Sequence, residues 1–217
     1  MKTHDIIVIG ASAGGVEAIS VVVSLLPRNL RAAVLVVLHV SRGRSMMPEI
    51  LTRAGHLPAV HPDDGDVLRY GRIYVAKPDH HLTVERGRLR VVQGPTENGC
   101  RPAIDPLFRS AARAYGPRVV GVVLTGSLTD GTAGLAAVKK AGGLAIVQDP
   151  DEAFASSMPQ SARACVAVDY VLPLRDIGPL VVSLTREGKG APPAACAGDA
   201  RSPGQGRESD PPDMKPG

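Results

Sequence analysis

Three side chains that could activate a nucleophile stand at the ends of three apolar runs. Ser12 follows IIVIGA, His39 follows AVLVVL, and Asp130 follows VVGVVL after a loop rich in glycine, serine and threonine. A hydroxyl, an imidazole and a carboxylate are the groups needed to deprotonate a serine for attack on a carbonyl carbon. The residue types therefore predict that Ser12 attacks, that His39 takes the proton, and that Asp130 orients the imidazole.

The glycine-rich loop around Ser12 fits one of two kinds of site better than the other. A dinucleotide-binding loop needs a second glycine where Ser12 stands and an acidic residue where His39 ends the next run, and this chain has neither. GASAG instead fits the GxSxG pattern, which places a serine on a tight turn at a helix N-terminus, where free N–H groups point toward an oxyanion. On the loop alone, an anion site or a simple tight turn remains an alternative to catalysis.

His39 and Asp130 also have simpler explanations. A histidine that ends an apolar strand can be a capped or solvent-edge side chain, and an aspartate before a helix is a common N-cap. In an open parallel sheet, however, the carboxyl ends of the strands lie at one edge, and ligands bind beyond that edge. The three side chains are therefore expected at the same edge of the sheet.

The elements that must position these residues alternate along the chain, since buried apolar runs are followed by helical patterns that end at glycine or proline. The predicted strands are residues 6–9, 33–40, 119–124, 144–147 and 170–172. The predicted helices are residues 15–26, 45–54, 131–141, 157–164 and 173–186, and one that starts with Asp105 as its N-cap and ends before Gly116. Residues 72–94 differ, because they consist of short alternating runs joined by turn residues, and ERGRLR within them predicts a hairpin around Gly87. The pattern predicts an α/β fold, with a doubly wound, mostly parallel sheet, helices on both faces and a small antiparallel hairpin element.

Composition bounds the class of protein. The 217 residues include 44% hydrophobic and 21% charged residues, as in a globular domain. One catalytic domain is predicted over residues 1–187, and a disordered glycine- and proline-rich tail over residues 188–217. The net charge is +4 and aromatic residues make up 3%, so neither a basic stripe nor a stacking surface favours nucleic-acid binding.

The cysteines and the start of the chain bear on location. Cys100, Cys165 and Cys196 are odd in number and lack CxxC spacing, which indicates reduced thiols rather than a disulfide framework or a zinc site. MKTHD leads directly into the first strand, without room for a signal peptide, and no apolar run is long enough to cross a bilayer. The sequence predicts a cytoplasmic protein without membrane insertion.

Few further residues favour a ligand. His80 and His81 stand in a predicted loop, and without HExxH or CxxC spacing they are predicted to be solvated rather than to bind a metal. No metal and no other cofactor is expected. Arg101 is predicted to face the cleft and to meet substrate carboxylates.

Several segments resemble one known family. IGASAGGVEAI, the histidine after the second strand, YVAKPDHHL, RPAIDPLF, VVLTGSLTDGTAGL and SSMP resemble, in order and spacing, the catalytic domain of CheB-type chemotaxis protein-glutamate methylesterases over about residues 5–185. The resemblance implies a doubly wound sheet with a small antiparallel element. It also implies hydrolysis of γ-glutamyl methyl esters on methyl-accepting chemotaxis receptors, often with deamidation of receptor glutamines. It assigns the nucleophile to Ser12, the base to His39 and the third member to Asp130, and it places Met158 near the site.

The chain departs from the family pattern at two places. Where the family usually reads GAST, Ala13 replaces the threonine, so only a backbone N–H can serve the oxyanion there. Where the family reads LTGMG, Ser127 replaces the methionine and Leu128 a glycine. The backbone N–H of Ser127 is predicted to donate to the oxyanion, and Leu128 is predicted to reshape the pocket. Loss of one oxyanion donor lowers the rate by about 10²-fold or more.

The resemblance also bears on how the predicted hydrolase is regulated, and one alternative function remains open. Family members usually carry an N-terminal phosphorylatable receiver domain, which this sequence does not show. The resemblance therefore predicts either a constitutively open hydrolase or gating by a separate receiver-domain protein, and it leaves other methylated signalling proteins open as clients. The alternative function is a catalytically silent binding module for acidic helical segments of a signalling protein, with Ala13 and Leu128 as signs of lost activity.

Overall fold

A seven-stranded parallel sheet forms the centre of the computed structural model, which describes residues 4–39 and 43–186. The strands are β1 (Ile6–Ala11), β2 (Ala33–Leu38), β3 (Ala59–Val60), β4 (Arg72–Val75), β5 (His81–Glu85), β6 (Arg88–Val92), β7 (Val119–Val123), β8 (Leu144–Gln148) and β9 (Tyr170–Leu172). The helices are α1 (Gly15–Ser24), α2 (Met47–Ala54), α3 (Ile104–Tyr115), α4 (Thr132–Lys140), α5 (Ser157–Cys165) and α6 (Leu174–Arg186). The order in the large sheet is β3-β4-β2-β1-β7-β8-β9, and β5 and β6 pair separately as an antiparallel hairpin.

Apolar side chains fill both faces of the sheet. Ile6 of β1 packs in one buried cluster with Phe108 of α3, whereas its neighbour Ile7 packs in a second cluster with Val22 of α1. Helices α3, α4 and α5 and the hairpin cover the first face, and α1, α2 and α6 cover the second. Both faces are covered, as expected for a parallel sheet whose strands are continuous apolar runs. The predicted fold class is confirmed.

The chain changes direction across the sheet at β1. It runs outward from β1 to β2 on one side, and it later returns to place β7 on the other side of β1. In doubly wound sheets a ligand binds beyond the carboxyl ends of the strands at this switch point. Ser12 follows β1, His39 follows β2, and Asp130 lies between β7 and α4. The topology thus brings the three predicted residues to one crevice.

The predicted hairpin around Gly87 is confirmed, and the first part of residues 72–94 joins the main sheet. Their first part, Arg72–Val75, is the parallel strand β4, which pairs with β2, and only the remainder forms the hairpin around Gly87. The two-residue strand β3 at Ala59–Val60 extends the same edge and was not predicted. Neither segment has a long apolar run, so the sequence pattern did not separate β4 from the hairpin.

The predicted C-terminal tail and the predicted absence of membrane insertion concern the rest of the chain. The predicted tail over residues 188–217 lies outside the described residues. Within residues 4–39 and 43–186, no helix is long and apolar enough to cross a membrane.

Candidate active site

The imidazole of His39 lies between the other two predicted residues. Its Nδ1 is 3.1 Å from Ser12 Oγ, and its Nε2 is 2.7 Å from Asp130 Oδ2. The side chain of Asp130 is 2% exposed and that of His39 is 14% exposed. The hydroxyl, the imidazole and the carboxylate are therefore connected by hydrogen bonds at the edge of the sheet.

The contacts of His39 define the tautomer that the site requires. Asp130 is an acceptor, so Nε2 carries the proton and donates it to Oδ2. Nδ1 is then unprotonated and can accept the proton of Ser12. In the serine-protease arrangement Nε2 faces the serine and Nδ1 the aspartate, so this ring uses its two nitrogens in the opposite order.

Asp130 accepts hydrogen bonds from several directions besides His39. Its Oδ2 accepts the N–H of Ile104 at 2.7 Å, and its Oδ1 accepts the N–H of Asp105 at 3.2 Å and the amide of Asn98 at 2.7 Å. Burial by itself would raise the pKa of Asp130, but these hydrogen bonds and that of His39 outweigh it and hold the pKa below the ordinary value of a carboxyl group. Asp130 is thus kept ionised opposite the imidazole.

The N-terminus of α3 accounts for part of this arrangement. Helix α3 begins at Ile104, so Asp105 is not its N-cap, and the prediction for Asp105 was wrong. Asp130 instead accepts the first N–H groups of α3 from across the fold. Asp105 points away to α4, where its Oδ1 accepts the N–H of Gly134. The sequence placed the acidic cap at the right helix end but on the wrong aspartate, because the capping side chain comes from a distant segment.

Asn98 connects the two buried carboxylates and was missed in the sequence. Its amide nitrogen donates to Asp105 Oδ2 at 2.9 Å and to Asp130 Oδ1 at 2.7 Å. Burial raises the pKa of Asp105 above the ordinary value despite the opposing hydrogen bonds from Gly134 and Asn98. Asn98 adopts φ 53°, in the left-handed region that asparagine tolerates. No sequence signal beyond the asparagine itself indicated this role.

Cys100 is a second neighbour of His39 that the sequence did not assign to the site. Its Sγ is 3.6 Å from His39 Nδ1, the nitrogen that faces Ser12. Burial, and after it the charge of Asp130, raise the pKa of the Cys100 thiol. A thiol with a raised pKa remains protonated at neutral pH, which favours Ser12 over Cys100 as the nucleophile.

Two backbone N–H groups near Ser12 are available to an oxyanion. Among the hydrogen bonds of the described residues, the N–H groups of Ala13 and Ser127 find no protein acceptor. Gly14, the N-cap of α1, adopts φ 72°, which lets the chain turn sharply from Ser12 into the helix. Free N–H groups at a helix N-terminus are suited to a developing negative charge.

Met158 lies close beneath this turn. It is fully buried, and its N–H donates to the carbonyl of Gly126 at 2.9 Å. A Cβ on Gly126 would collide with Met158 Sδ and would lie 2.9 Å from Ser12 Cβ. Gly126 thus allows the loop after β7 to approach both Ser12 and Met158, since a Cβ at this position would meet both side chains.

Leu128 and Phe154 lie on the loops around Ser12 and project outward. Leu128 is 71% exposed, with φ 67°, and Phe154 is 84% exposed. A Cβ on Gly14 would lie 2.7 Å from Phe154 Cβ and 3.0 Å from Phe154 Cγ, so the side chain of Phe154 lies directly over the turn after Ser12. Phe154 carried no catalytic motif and was not singled out in the sequence.

The remaining predicted residues have partners within the protein. The guanidinium of Arg101 donates to Asp79 Oδ1 at 2.7 Å and to the carbonyl of Gly94. His81 is 5% exposed and bonds to the carbonyl of Pro95, so it is a buried strand residue and not the solvated loop histidine predicted. His80 is partly exposed. In the part of the chain that the structure describes, no group of three or more histidine, cysteine, aspartate or glutamate side chains is arranged to hold a metal ion.

Comparisons with known proteins agree on one family. The family model described as CheB methylesterase matches residues 7–181. A protein of Rhodospirillum rubrum named protein-glutamate methylesterase/protein-glutamine glutaminase 1 is 39% identical over 185 residues, which cover 82% of this chain and 48% of that protein. A Leptospira interrogans protein with a provisional form of the same name is 36% identical over 183 residues, which cover 83% of this chain and 95% of its own.

A solved structure gives the same result. The crystal structure of the Thermotoga maritima CheB methylesterase catalytic domain superposes with a TM-score of 0.79 at 30% sequence identity. The match covers 84% of this chain and 99% of that domain. This chain spans about half the length of the Rhodospirillum rubrum relative, whereas it spans nearly all of the Leptospira interrogans one.

Proposed function

The chain belongs to the CheB methylesterase family, and from that premise we propose that it is a protein-glutamate methylesterase whose nucleophile, base and acid are Ser12, His39 and Asp130. One observation carries the assignment: a single imidazole lies 3.1 Å from the serine hydroxyl and 2.7 Å from a buried carboxylate. That arrangement is the one required to make a serine nucleophilic at neutral pH.

The first half of the reaction forms an acyl-enzyme. Ser12 Oγ attacks the carbonyl carbon of a γ-glutamyl methyl ester, and its proton moves to His39 Nδ1. The carbonyl oxygen becomes an oxyanion, which the N–H groups of Ala13 and Ser127 stabilise. His39 then returns the proton to the methoxide, which leaves as methanol. Asp130 stabilises the imidazolium during both transfers.

The second half regenerates the serine. A water molecule gives a proton to His39 Nδ1 and attacks the acyl carbon. When the tetrahedral intermediate collapses, the bond to Ser12 Oγ breaks, Ser12 regains its proton from His39, and the glutamate side chain is released as a carboxylic acid that loses its proton to solvent. The same groups deamidate a glutamine side chain if ammonia replaces methanol as the leaving group, in keeping with the double name of the relatives.

The substrate class that we propose is a methylated signalling protein. The family name points to chemotaxis, and methyl-accepting receptors are the proposed clients. Arg101 is proposed to assist recognition from the neighbouring loop, although its bonds to Asp79 and Gly94 occupy part of its guanidinium.

The decisive experiment combines turnover with active-site labelling. The purified chain is incubated with a peptide that contains glutamate γ-methyl ester, and methanol release is measured. In parallel, a fluorophosphonate probe tests for an activated serine. We expect turnover and labelling in the wild-type protein and in Ser24→Ala, whose hydroxyl bonds only to Val21 on the exposed side of α1. Ser12→Ala should lose both.

The alternative function, a silent module that binds acidic helical segments, gives a different result. A folded wild-type protein that neither releases methanol nor reacts with the probe would favour that module. Equal turnover in Ser12→Ala and in the wild-type protein would exclude Ser12 as the nucleophile. Thermal melting of each variant establishes that the protein is folded.

A further inference from the structure

The two most exposed large apolar side chains of the described residues lie beside the same serine. Phe154 is 84% exposed and Leu128 is 71% exposed, whereas the next, Met46, is 49% exposed. Single exposed apolar residues are common on protein surfaces. Here both lie on the loops that surround one catalytic group, where exposed apolar side chains are suited to bind a partner.

The backbone that carries these side chains is held in place. Thr125 Oγ1 donates to the carbonyl of Ala13 and accepts the N–H of Ala155, each at 2.9 Å. The N–H of Gly126 donates to the carbonyl of Ala155 at 2.9 Å. The turn after Ser12, the loop after β7 and the loop before α5 are therefore joined into one unit.

Leu128 is fixed to this unit in an unfavourable conformation. Its N–H donates to Ser157 Oγ at 3.1 Å, and its φ of 67° lies in the left-handed region, which is uncommon for residues other than glycine, asparagine and aspartate. Backbone strain of this kind is concentrated at functional sites and ligand clamps. A bulky apolar side chain is thus held outward on a rigid support.

We propose that Leu128 and Phe154 are specificity-determining residues that contact apolar side chains next to the esterified glutamate of a polypeptide substrate. We call the surface formed by Leu128 and Phe154 beside Ser12 the rim. The inference rests on the proposed function, because the polypeptide that occupies the rim is the one whose esterified glutamate reaches Ser12. Neither side chain carries a charge, so recognition at this rim depends on burial of apolar surface rather than on ion pairs. Because the backbone that carries them is already held in place, these side chains bind without the cost of ordering the loops.

The experiment compares two peptides that differ only beside the reactive glutamate. Both contain glutamate γ-methyl ester, flanked by leucines in one peptide and by serines in the other. We expect the wild-type protein to prefer the leucine peptide by about tenfold in kcat/KM, since one good apolar contact discriminates by 10- to 200-fold. Leu128→Gly and Phe154→Ser should each reduce this preference at least threefold, mainly through KM.

Val21→Ser is the matched control. Val21 is a 39% exposed apolar residue on α1, and its replacement should leave the preference at the wild-type value. If Leu128→Gly and Phe154→Ser keep the wild-type preference, or slow both peptides equally, the proposal is wrong. If they instead change the oligomeric state measured by light scattering, the rim is a contact between copies of the chain, which also overturns the proposal.

Binding separates this proposal from the proposed function. The Ser12→Ala protein is titrated with both peptides, labelled with a fluorophore, and anisotropy is measured. Suppose that the protein binds the leucine peptide preferentially through Leu128 and Phe154 but that the wild-type protein shows no turnover. This result would contradict the proposed esterase function and support the recognition role of the rim. Turnover by the wild-type protein without any preference would contradict the recognition role and support the esterase function.

Discussion

The two sides of the His39 ring have opposite surroundings. On the Nε2 side, Asp130 is 2% exposed and accepts hydrogen bonds from His39, from the start of α3 and from Asn98. On the Nδ1 side, Ser12 faces a rim with the exposed side chains of Leu128 and Phe154. One side is closed and fully hydrogen-bonded, and the other is open and apolar.

The difference separates two tasks. The closed side fixes the charge and orientation of a carboxylate before any substrate arrives, which is the condition for electrostatic preorganisation. On the open side, the side chains of Leu128 and Phe154 are mostly exposed, so their apolar surface is left for a partner. Substitutions on the closed side should therefore act on kcat, and substitutions at the rim should act on KM and on substrate choice.

On the closed side, the largest effect is expected from Asp130→Asn. The amide keeps one oxygen for the N–H groups of α3 but cannot stabilise the imidazolium or select the required tautomer. The expected loss in kcat is about 10⁴-fold, as for the equivalent change in a serine protease. Methanol release under saturating substrate measures it. Asp63→Asn, which changes an exposed carboxylate paired with Lys77, is the control, and an equal loss in that variant would contradict the assignment.

A smaller effect is expected from Asn98→Gly. Glycine accepts the φ of 53° without strain, so the substitution removes only the amide that bonds to Asp130 and Asp105. A hydrogen bond to a charged group is worth about 1.5–3 kcal/mol, so kcat should fall by about 10- to 100-fold while KM changes little. Asn29→Gly, at an exposed position remote from the site, serves as the control. An unchanged kcat would show that the hydrogen bond from Asn98 to Asp130 does not contribute to catalysis.

The pH dependence of turnover between pH 5 and pH 8 should not report on Asp130. Hydrogen bonding holds the pKa of Asp130 below the ordinary carboxyl value, so Asp130 stays ionised from pH 8 to pH 5. Any fall in kcat/KM over this range should therefore come from a group other than Asp130. A profile of methanol release against pH measures the fall. A fall that disappears in Asp130→Asn would belong to Asp130 and would contradict its depressed pKa.

The same pKa shift predicts a difference in acid stability. Because the folded-state pKa of Asp130 is depressed, its ionised form stabilises the fold above the unfolded-state value, and that contribution is lost as the pH falls through the folded-state pKa. Between pH 5 and pH 2 the wild-type protein should therefore lose more stability than Asp130→Asn. Urea titrations at each pH compare the two, and parallel losses would contradict the depressed pKa.

The smallest effect is expected at the rim, and it has the opposite sign. Leu128→Gly relieves strain of about 1–2 kcal/mol and adds about 0.4–1 kcal/mol of chain entropy to the unfolded state. The melting temperature should rise by about 2 °C for a domain of this size. Leu128→Ala keeps the positive φ and should melt close to the wild-type protein. A lower melting temperature for Leu128→Gly would show that Leu128 stabilises the fold.

The sequence predicted those parts of the molecule that depend on local pattern. The apolar runs of β1, β2 and β7 place Ser12, His39 and Asp130 at strand ends, and a parallel sheet has only one edge at which those ends meet. Strand β4, with four residues, lacks such a run, and its parallel pairing with β2 is decided by tertiary packing.

The supporting residues were beyond the pattern. Asn98 and Asp130 are 32 positions apart, and Asp105 contacts Gly134 across 29 positions, so neither contact leaves a local signature. His81 was misplaced because its neighbours appeared polar, although its ring is buried between Pro95 and Ala103. The sequence thus shows the reactive groups more readily than the network that orients them.

The double attachment of Asp130 affects how related chains should be judged. This carboxylate also accepts the first N–H groups of α3. A related protein without esterase activity would therefore still need a hydrogen-bond acceptor at this position to stabilise the helix end. An aspartate at this position in a related protein is therefore only weak evidence that the protein is catalytically active. The side chains of Ser12 and His39 do not accept the N–H groups of a helix end. Their presence or replacement in a related protein is therefore the better indication of whether that protein hydrolyses esters.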